Sequence, residues 1–235
     1  MTNSNLYITI LAAGEGSRMK SDIPKVLHKV AGVPMIHHVT NISTQLDPVD
    51  IYLIVGYKKE MVMDYIDSQF CGPVAVEPGN KTVARITYVE QPERLGTGHA
   101  IRQLESYLRG NEGHLIILSG DVPNIKVSTL QSIVDSHIKH DRDLTVLACD
   151  VGDPSGYGRV VTDSDGLLTG IVEHRDCSAS ELNITQINTG IYMFKLTNLF
   201  DRLKTLSNKN ASGEYYLTDV VSMYRNESVY VESID

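Results

Sequence analysis

Long apolar runs are missing from this 235-residue sequence. None approaches the roughly 18 residues of a membrane-spanning helix, so no membrane partner is expected. The opening residues, Met1-Thr2-Asn3-Ser4-Asn5, lack the basic region and cleavage site of a secretory leader. Cysteine is scarce: Cys71, Cys149 and Cys177 are odd in number, scattered and without metal-ligand spacing. Reduced thiols in a cytoplasmic protein are the expectation. Positive charge is outnumbered, with 21 Lys and Arg against 29 Asp and Glu and a net charge of −8. Non-specific nucleic-acid binding needs a basic face that displaces counterions, so no nucleic-acid partner is expected. Internal repeats and low-complexity segments are also lacking.

The composition is 42% hydrophobic and 21% charged, which argues for a globular chain and against disorder. The length fits one large α/β domain or two small ones. An acidic protein that binds a polyphosphate must concentrate its positive charge locally or recruit a metal ion.

The densest stretch is Leu11-Ala12-Ala13-Gly14-Glu15-Gly16-Ser17-Arg18-Met19, with Lys25 just beyond it. The apolar run Leu6 to Leu11 feeds into it, as a buried strand feeds a glycine-bearing loop. Gly14 and Gly16 let the backbone approach a ligand and take positive φ. Successive N–H groups in such a turn form an anion-binding nest. Arg18 adds a planar fork for phosphate and Lys25 a compact point charge. The stretch is no Walker loop, because no Gly-Lys-Ser/Thr follows, and Arg18-Met19 stand where a dinucleotide fingerprint needs its third glycine. A plain strand-to-helix turn with a solvated arginine fits the loop alone equally well. Pro24 restricts the residue before it, so Lys25 is expected on a stiff extended segment; a surface lysine is the alternative.

Helical spacing of Met35, Ile36, Val39, Ile42 and Leu46 predicts a helix on a sheet. His37 and His38 lie on it, but neighbouring helix positions point about 100° apart and cannot chelate together. Val49 to Val55 reads as a strand and Lys58 to Phe70 as a helix, which predicts a parallel βαβ sheet. Short strands are expected at Val74 to Val76 and Arg85 to Val89, joined through Pro78-Gly79-Asn80. Gln91-Pro-Glu-Arg-Leu-Gly96-Thr97-Gly98-His99-Ala100 opens a helix expected over Thr97 to Leu108. Its two glycines leave room for a flat ligand, and Gln91 offers a donor and acceptors to a nucleobase edge. Thr97 could instead be an N-cap. The strand His114 to Leu118 ends in Ser119-Gly120-Asp121-Val122-Pro123. A carboxylate at the C-terminal end of a central strand is where open α/β sheets place ligand chemistry. Asp121 suits Mg²⁺, which prefers oxygen and binds through one or two carboxylates plus substrate phosphates; a cap before the helix Val127 to Ile138 is the alternative.

From Leu144 onward the spacing turns to strand–turn–strand. Val160 to Glu173 alternates around an Asp163-Ser164-Asp165-Gly166 turn, so this half reads as a smaller β-rich lid. Gly158, Glu173 and Asn188 suit hydrogen bonding to sugar hydroxyls, or are plain turn chemistry. Ile187 to Phe194 reads as a strand, Leu196 to Leu206 as a helix, Gly213 onward as another helix and Val229 to Val231 as a last strand.

Eight motifs occur in one order. They are Leu11-Ala-Ala-Gly-Glu-Gly-Ser-Arg-Met, Pro24-Lys25-Val-Leu, Gln91-x4-Gly96-Thr97-Gly-His-Ala and Gly120-Asp121-Val-Pro, then Gly156-Tyr-Gly-Arg159, Gly170-Ile-Val-Glu173-His, Ile187-Asn188-Thr-Gly190 and Gly213-Glu-Tyr-Tyr-Leu-Thr-Asp219. The order resembles the sugar-1-phosphate nucleotidylyltransferases. More narrowly it resembles the N-terminal uridylyltransferase domains of bifunctional N-acetylglucosamine-1-phosphate uridylyltransferases, over nearly the whole chain.

The resemblance implies a Rossmann-like nucleotide-diphospho-sugar transferase fold, mostly parallel, with a nucleotide-binding part over about residues 1–125 and a sugar-binding part over about 126–235. It implies the reaction of UTP with N-acetylglucosamine 1-phosphate to give UDP-N-acetylglucosamine and pyrophosphate, with Mg²⁺ as cofactor. Leu11, Ala12, Ala13 and Gly14 would hold base, ribose and phosphate; Arg18 and Lys25 would take phosphate charge; Gln91, Gly96 and Thr97 would read uracil. Asp121 would bind Mg²⁺, and Gly120, Gly158, Glu173 and Asn188 would hold the sugar. The family's second metal ligand is an asparagine in a Gly-Val-Asn-Asn segment, which this sequence does not contain. Nor is the β-helix that carries acetyltransferase chemistry expected within these 235 residues. A transferase for another sugar phosphate and a nucleotide-sugar-binding protein with weakened catalysis are the alternatives.

Overall fold

The computed structural model describes residues 5–16, 19–70, 84–164 and 166–224, with the backbone of 229–234. The predicted strand Val74 to Val76, its Gly79 turn, Cys71 and Arg18 lie outside the described residues. The sheet is built on β1 (Leu6–Ala12), buried along all but one of its residues. A strand covered on both faces needs this near-continuous apolar run, and parallel sheets are made of such strands. A two-residue pair, β2 (Lys29–Val30) and β3 (Val33–Pro34), precedes α1 (Met35–Thr44). Then come β4 (Asp50–Val55), α2 (Lys59–Phe70), β5 (Arg85–Glu90), α3 (Thr97–Arg102), α4 (Glu105–Leu108), β6 (His114–Ser119) and α5 (Val127–Lys139). The remainder is β7 (Leu144–Asp150), β8 (Arg159–Thr162), β9 (Leu168–Val172), β10 (Gln186–Lys195), α6 (Leu199–Lys204), α7 (Thr218–Ser222) and β11 (Val229–Ile234).

The sheet order is β5-β4-β1-β6-β10-β7-β11. Strands β5, β4, β1 and β6 run parallel, as does β11 beside β7, while β10 runs antiparallel to both its neighbours. Ile36 and Val39 of α1, Val62 and Ile66 of α2, and Leu130 and Ile133 of α5 cover one face with Ile8, Ile10 and Ile116. The other face packs Tyr7 and Ile117 under Ile101 and Leu104 near α3, Leu203 of α6 and Val220 of α7. The result is the expected mainly parallel α/β sheet between helices.

Several local expectations are revised. The helix predicted over Thr97 to Leu108 is two short ones, because Gln103 and Leu104 donate to carbonyls three residues back and tighten the last turn of α3. Gly213 to Leu217 is not helical, and α7 starts only at Thr218. The β8–β9 hairpin is built onto the main sheet, β8 joining it through Arg159 opposite Ile187 of β10. His37 and His38 diverge as expected, His37 Nδ1 meeting the Tyr65 hydroxyl at 3.1 Å and His38 Nε2 the Val30 carbonyl at 2.9 Å. Among the described residues no helix is long and apolar enough to cross a membrane.

One buried polar pair makes the core sensitive to acid. His137 of α5 is fully buried; its Nδ1 lies 2.8 Å from Thr145 Oγ1 and its Nε2 3.1 Å from His114 Nδ1. Burial, aided by the His114 ring, lowers His137 to about 3. The folded protein therefore holds it neutral where the unfolded chain binds a proton. That stability is fully present above the ordinary histidine value of 6.5 and is lost as pH falls from there toward 3. The urea midpoint is expected to fall between pH 7 and pH 5, with a slope of up to about 1.4 kcal/mol per pH unit from this group. His137→Gln should flatten that slope, and an unchanged slope would remove His137 as its cause.

Candidate active site

Strand order positions the site. The loop after β1 leads by α1 to β4 on one side, and the loop after β6 leads by α5 toward β7 on the other. Adjacent parallel strands whose connections part in opposite directions leave a crevice at their carboxyl ends. A cleft of 560 Å³ lies there, walled by Leu11 to Gly16, Lys25, Gln91, Gly96, Thr97, Ser119 and Asp121.

The first wall is the β1 loop. Ala12 and Ala13 are buried, and the Ala13 carbonyl accepts from Tyr57 N–H at 3.2 Å. Gly16 takes a φ of +70°, but Gly14 does not enter the left-handed region. The space Gly16 leaves is used by Lys25: a Cβ on Gly16 would stand 2.6 Å from Lys25 Cβ. Lys25 does not sit on an extended segment. Pro24 is extended, and Lys25–Leu27 is a turn of 3-10 helix that aims the ammonium at β6.

There Lys25 Nζ pairs with Asp121 Oδ2, and Ser119 Oγ donates to Asp121 Oδ1 at 2.7 Å. Burial pushes the Asp121 carboxyl up, but the hydrogen bonds from Lys25 and Ser119 and the lysine charge outweigh it, so the group is held below its ordinary value. The carboxylate stays ionised and 21% exposed toward the cleft. Gly120 is buried behind it, where a Cβ would meet Ile36, Val26 and the Leu11 carbonyl. Among the described residues no three His, Cys, Asp or Glu side chains converge as a metal cage. One hard carboxylate beside a phosphate-sized cleft fits a Mg²⁺ held mainly through the phosphates of a bound nucleotide, with Asp121 as its protein ligand.

The opposite wall follows β5. Gln91 is 6% exposed, and its Nε2 donates to the Gly96 carbonyl at 3.0 Å. Gly96 stands at the N-cap of α3 with φ +104°, so Thr97 is not the cap. The room left by Gly96 and Gly98 is taken by protein. A Cβ on Gly96 would lie 2.6 Å from the Tyr215 carbonyl oxygen, and one on Gly98 would meet Leu206 and Tyr215. Residues 214–217 dock there: Tyr215 N–H donates to Leu95 O at 2.7 Å, Gly98 N–H to Tyr215 O at 2.8 Å and Leu217 N–H to Thr97 Oγ1 at 3.0 Å.

The other sequence candidates gather elsewhere. Gly158, Glu173 and Asn188 do not wall the cleft but meet one another. Asn188 N–H donates to Gly158 O at 2.9 Å, and a Cβ on Gly158 would lie 3.5 Å from Glu173 Oε2. Asn188 sits at a bulge in β10, its Nδ2 donating to the Tyr192 hydroxyl at 2.6 Å. Sequence reasoning attached no role to Ser119, Arg94 or Glu214, which also wall the cleft. Arg94 pairs with Glu15 at 2.6 Å and so ties the β5 loop to the β1 loop. All three lie inside the motifs around Asp121, Gln91 and Gly213.

The sequence pattern of the nucleotidyl transferase family matches residues 8–234. The chain is 42% identical to the bifunctional protein GlmU of Streptococcus pyogenes serotype M3 over 225 residues, 96% of this chain and 45% of that protein. It is 40% identical to the bifunctional protein GlmU of Streptococcus agalactiae over 219 residues, 93% of this chain and 44% of that protein. The chain thus spans less than half the length of these curated relatives. A solved UDP-glucose pyrophosphorylase complexed with UDP-glucose shares its fold, with a TM-score of 0.78 at 18% identity over 98% of this chain and 91% of that one. So does a protein assigned as a glucose-1-phosphate thymidylyltransferase from Bacillus anthracis, solved with sucrose, at a TM-score of 0.77 and 24% identity over 98% and 87%. With all but its ends matched, the chain belongs to the nucleotidyl transferase family.

Proposed function

We propose that the protein transfers the uridylyl group of UTP to N-acetylglucosamine 1-phosphate, releasing pyrophosphate. The observation that carries this reading is the pairing of Lys25 with Asp121 at the end of β6, facing the glycine loop of β1. The attacking oxygen belongs to a sugar phosphate that is already ionised, so no general base is needed. The work left to the protein is positioning and charge neutralisation at the α-phosphate.

The backbone of Leu11 to Gly14 holds the nucleotide. Lys25, with Arg18, draws off phosphate charge. Gln91 has its amide N–H₂ committed to Gly96, so its carbonyl is the group left for a base, which suits the imide N–H of uracil. Gly96 and Thr97 complete that wall. Gly158, Glu173 and Asn188, with Gly120, form the sugar pocket. A Mg²⁺ on Asp121 would neutralise phosphate charge. The nucleotide part is thus about residues 1–125 and the sugar part about 126–235. Such an enzyme works among soluble nucleotides in the cytoplasm.

The test is pyrophosphate release by purified protein with Mg²⁺ and N-acetylglucosamine 1-phosphate. UTP is expected to support turnover well above CTP, dTTP, ATP or GTP. No release with UTP, alongside tight binding of UDP-N-acetylglucosamine, would replace the transferase with a nucleotide-sugar-binding protein. Release with a different nucleotide would reassign the base.

A further inference from the structure

Thr218 has no part in the reading above, yet it is buried, 3% exposed, and its hydroxyl donates to Glu173 Oε1 at 3.2 Å. The other carboxylate oxygen, Oε2, faces the bare Cα of Gly158. The carboxylate is therefore located by a donor on one oxygen and a missing side chain at the other. The surroundings are unfavourable to its charge. Burial raises Glu173, the Thr218 hydrogen bond opposes this, and Asp219, Asp176 and Glu214 raise it further. A protonated or rotated Glu173 would lose an acceptor face.

Thr218 is itself held from a distance. It opens α7 immediately after Leu217, whose N–H is bound by Thr97 Oγ1. Tyr215 is locked to Leu95 and Gly98 by two backbone hydrogen bonds. At the segment's other end Asn210 Nδ2 donates to Glu214 O at 2.6 Å, and Ala211 N–H donates to Asp176 Oδ1 at 2.9 Å. Residues 210–218 thus run from the hairpin side to the nucleotide wall and end on Glu173.

We propose that Thr218 is a positioning residue of the sugar half, fixing the Glu173 carboxylate over Gly158, and that docking of residues 215–217 on the nucleotide wall sets its place. This rests on the reading of Gly158, Glu173 and Asn188 as the sugar pocket. Thr218→Val keeps the shape and removes the donor, leaving a half-buried acceptor unpaired.

Calorimetric titration of the wild type and Thr218→Val with UDP and with UDP-N-acetylglucosamine separates the cases. Thr218→Val should weaken UDP-N-acetylglucosamine about tenfold, as expected for a lost hydrogen bond to a charged group, and leave UDP within about twofold. Thr218→Ser should restore wild-type affinity for both. In a Glu173→Gln background, Thr218→Val should add nothing, because its effect passes through that carboxylate. Equal weakening of UDP and UDP-N-acetylglucosamine, or no change in either, would overturn the assignment, as would an undiminished effect in the Glu173→Gln background. A wild type that binds UDP-N-acetylglucosamine no better than UDP would overturn the sugar pocket itself. If Thr218→Val does not fold, Thr218→Ala is read in the same way.

Discussion

Asp121→Asn is expected to lower kcat on the order of 10²–10³-fold, the scale of losing one group preorganised for the transition state. Binding of UDP-N-acetylglucosamine should change by less than about threefold, since uniform binding comes from other walls of the cleft. The substitution keeps the side chain's shape and its acceptor for Ser119 Oγ, but removes the charge that faces Lys25. It also removes the one carboxylate at the end of β6 suited to a hard cation. Turnover measured across a Mg²⁺ titration should show a higher metal requirement as well as the lower ceiling. Parallel losses in turnover and product binding, or loss of neither, would remove Asp121 from the role of metal ligand.

Gly96→Ala is expected to cut kcat/KM about 100-fold, although it adds one methyl group, because it combines left-handed strain with overpacking. The backbone at Gly96 has a φ of +104°, and the new carbon would stand 2.6 Å from the Tyr215 carbonyl oxygen. A carbonyl on a docked backbone cannot swing aside as a side-chain tip can. Residues 214–217 must move off α3, and with them the hydrogen bonds from Tyr215 to Leu95 and from Leu217 to Thr97. Gln91 loses its hold on the Gly96 carbonyl in the same shift. The sheet lies outside this contact, so the far-UV circular dichroism spectrum should persist. Melting should fall by several degrees, about 2–4 °C per kcal/mol in a domain of this size. Wild-type kcat/KM in Gly96→Ala would show that the docking of residues 214–217 on Gly96 and Thr97 does not shape the cleft.

The parallel half was legible because its information is local. A buried strand such as Leu6–Ala12, followed by a glycine loop and an amphipathic helix, carries its own periodicity. The carboxyl-end placement of Asp121 followed from the strand that precedes it. What remained hidden depends on contacts between distant segments. Gly96 and Gly98 are explained by Tyr215, more than a hundred residues away, and no spacing rule connects them. Gly16 is explained by the Cβ of Lys25 as much as by its φ. Thr97 reads as cap chemistry in isolation and Thr218 carries no signal of its own, while in the fold they serve Leu217 and Glu173. Neither the attachment of β8 to β10 nor the late start of α7 has a periodic signal.

The most direct test of the whole account is a crystal structure with UDP-N-acetylglucosamine and Mg²⁺ bound. Uracil is expected against the Gln91 carbonyl, the diphosphate between the Gly14–Gly16 loop and the Lys25–Asp121 pair, and the acetamido sugar within reach of Gly158, Glu173 and Asn188. A nucleotide bound outside the cleft at the ends of β1 and β6, or a sugar directed away from Glu173, would contradict it.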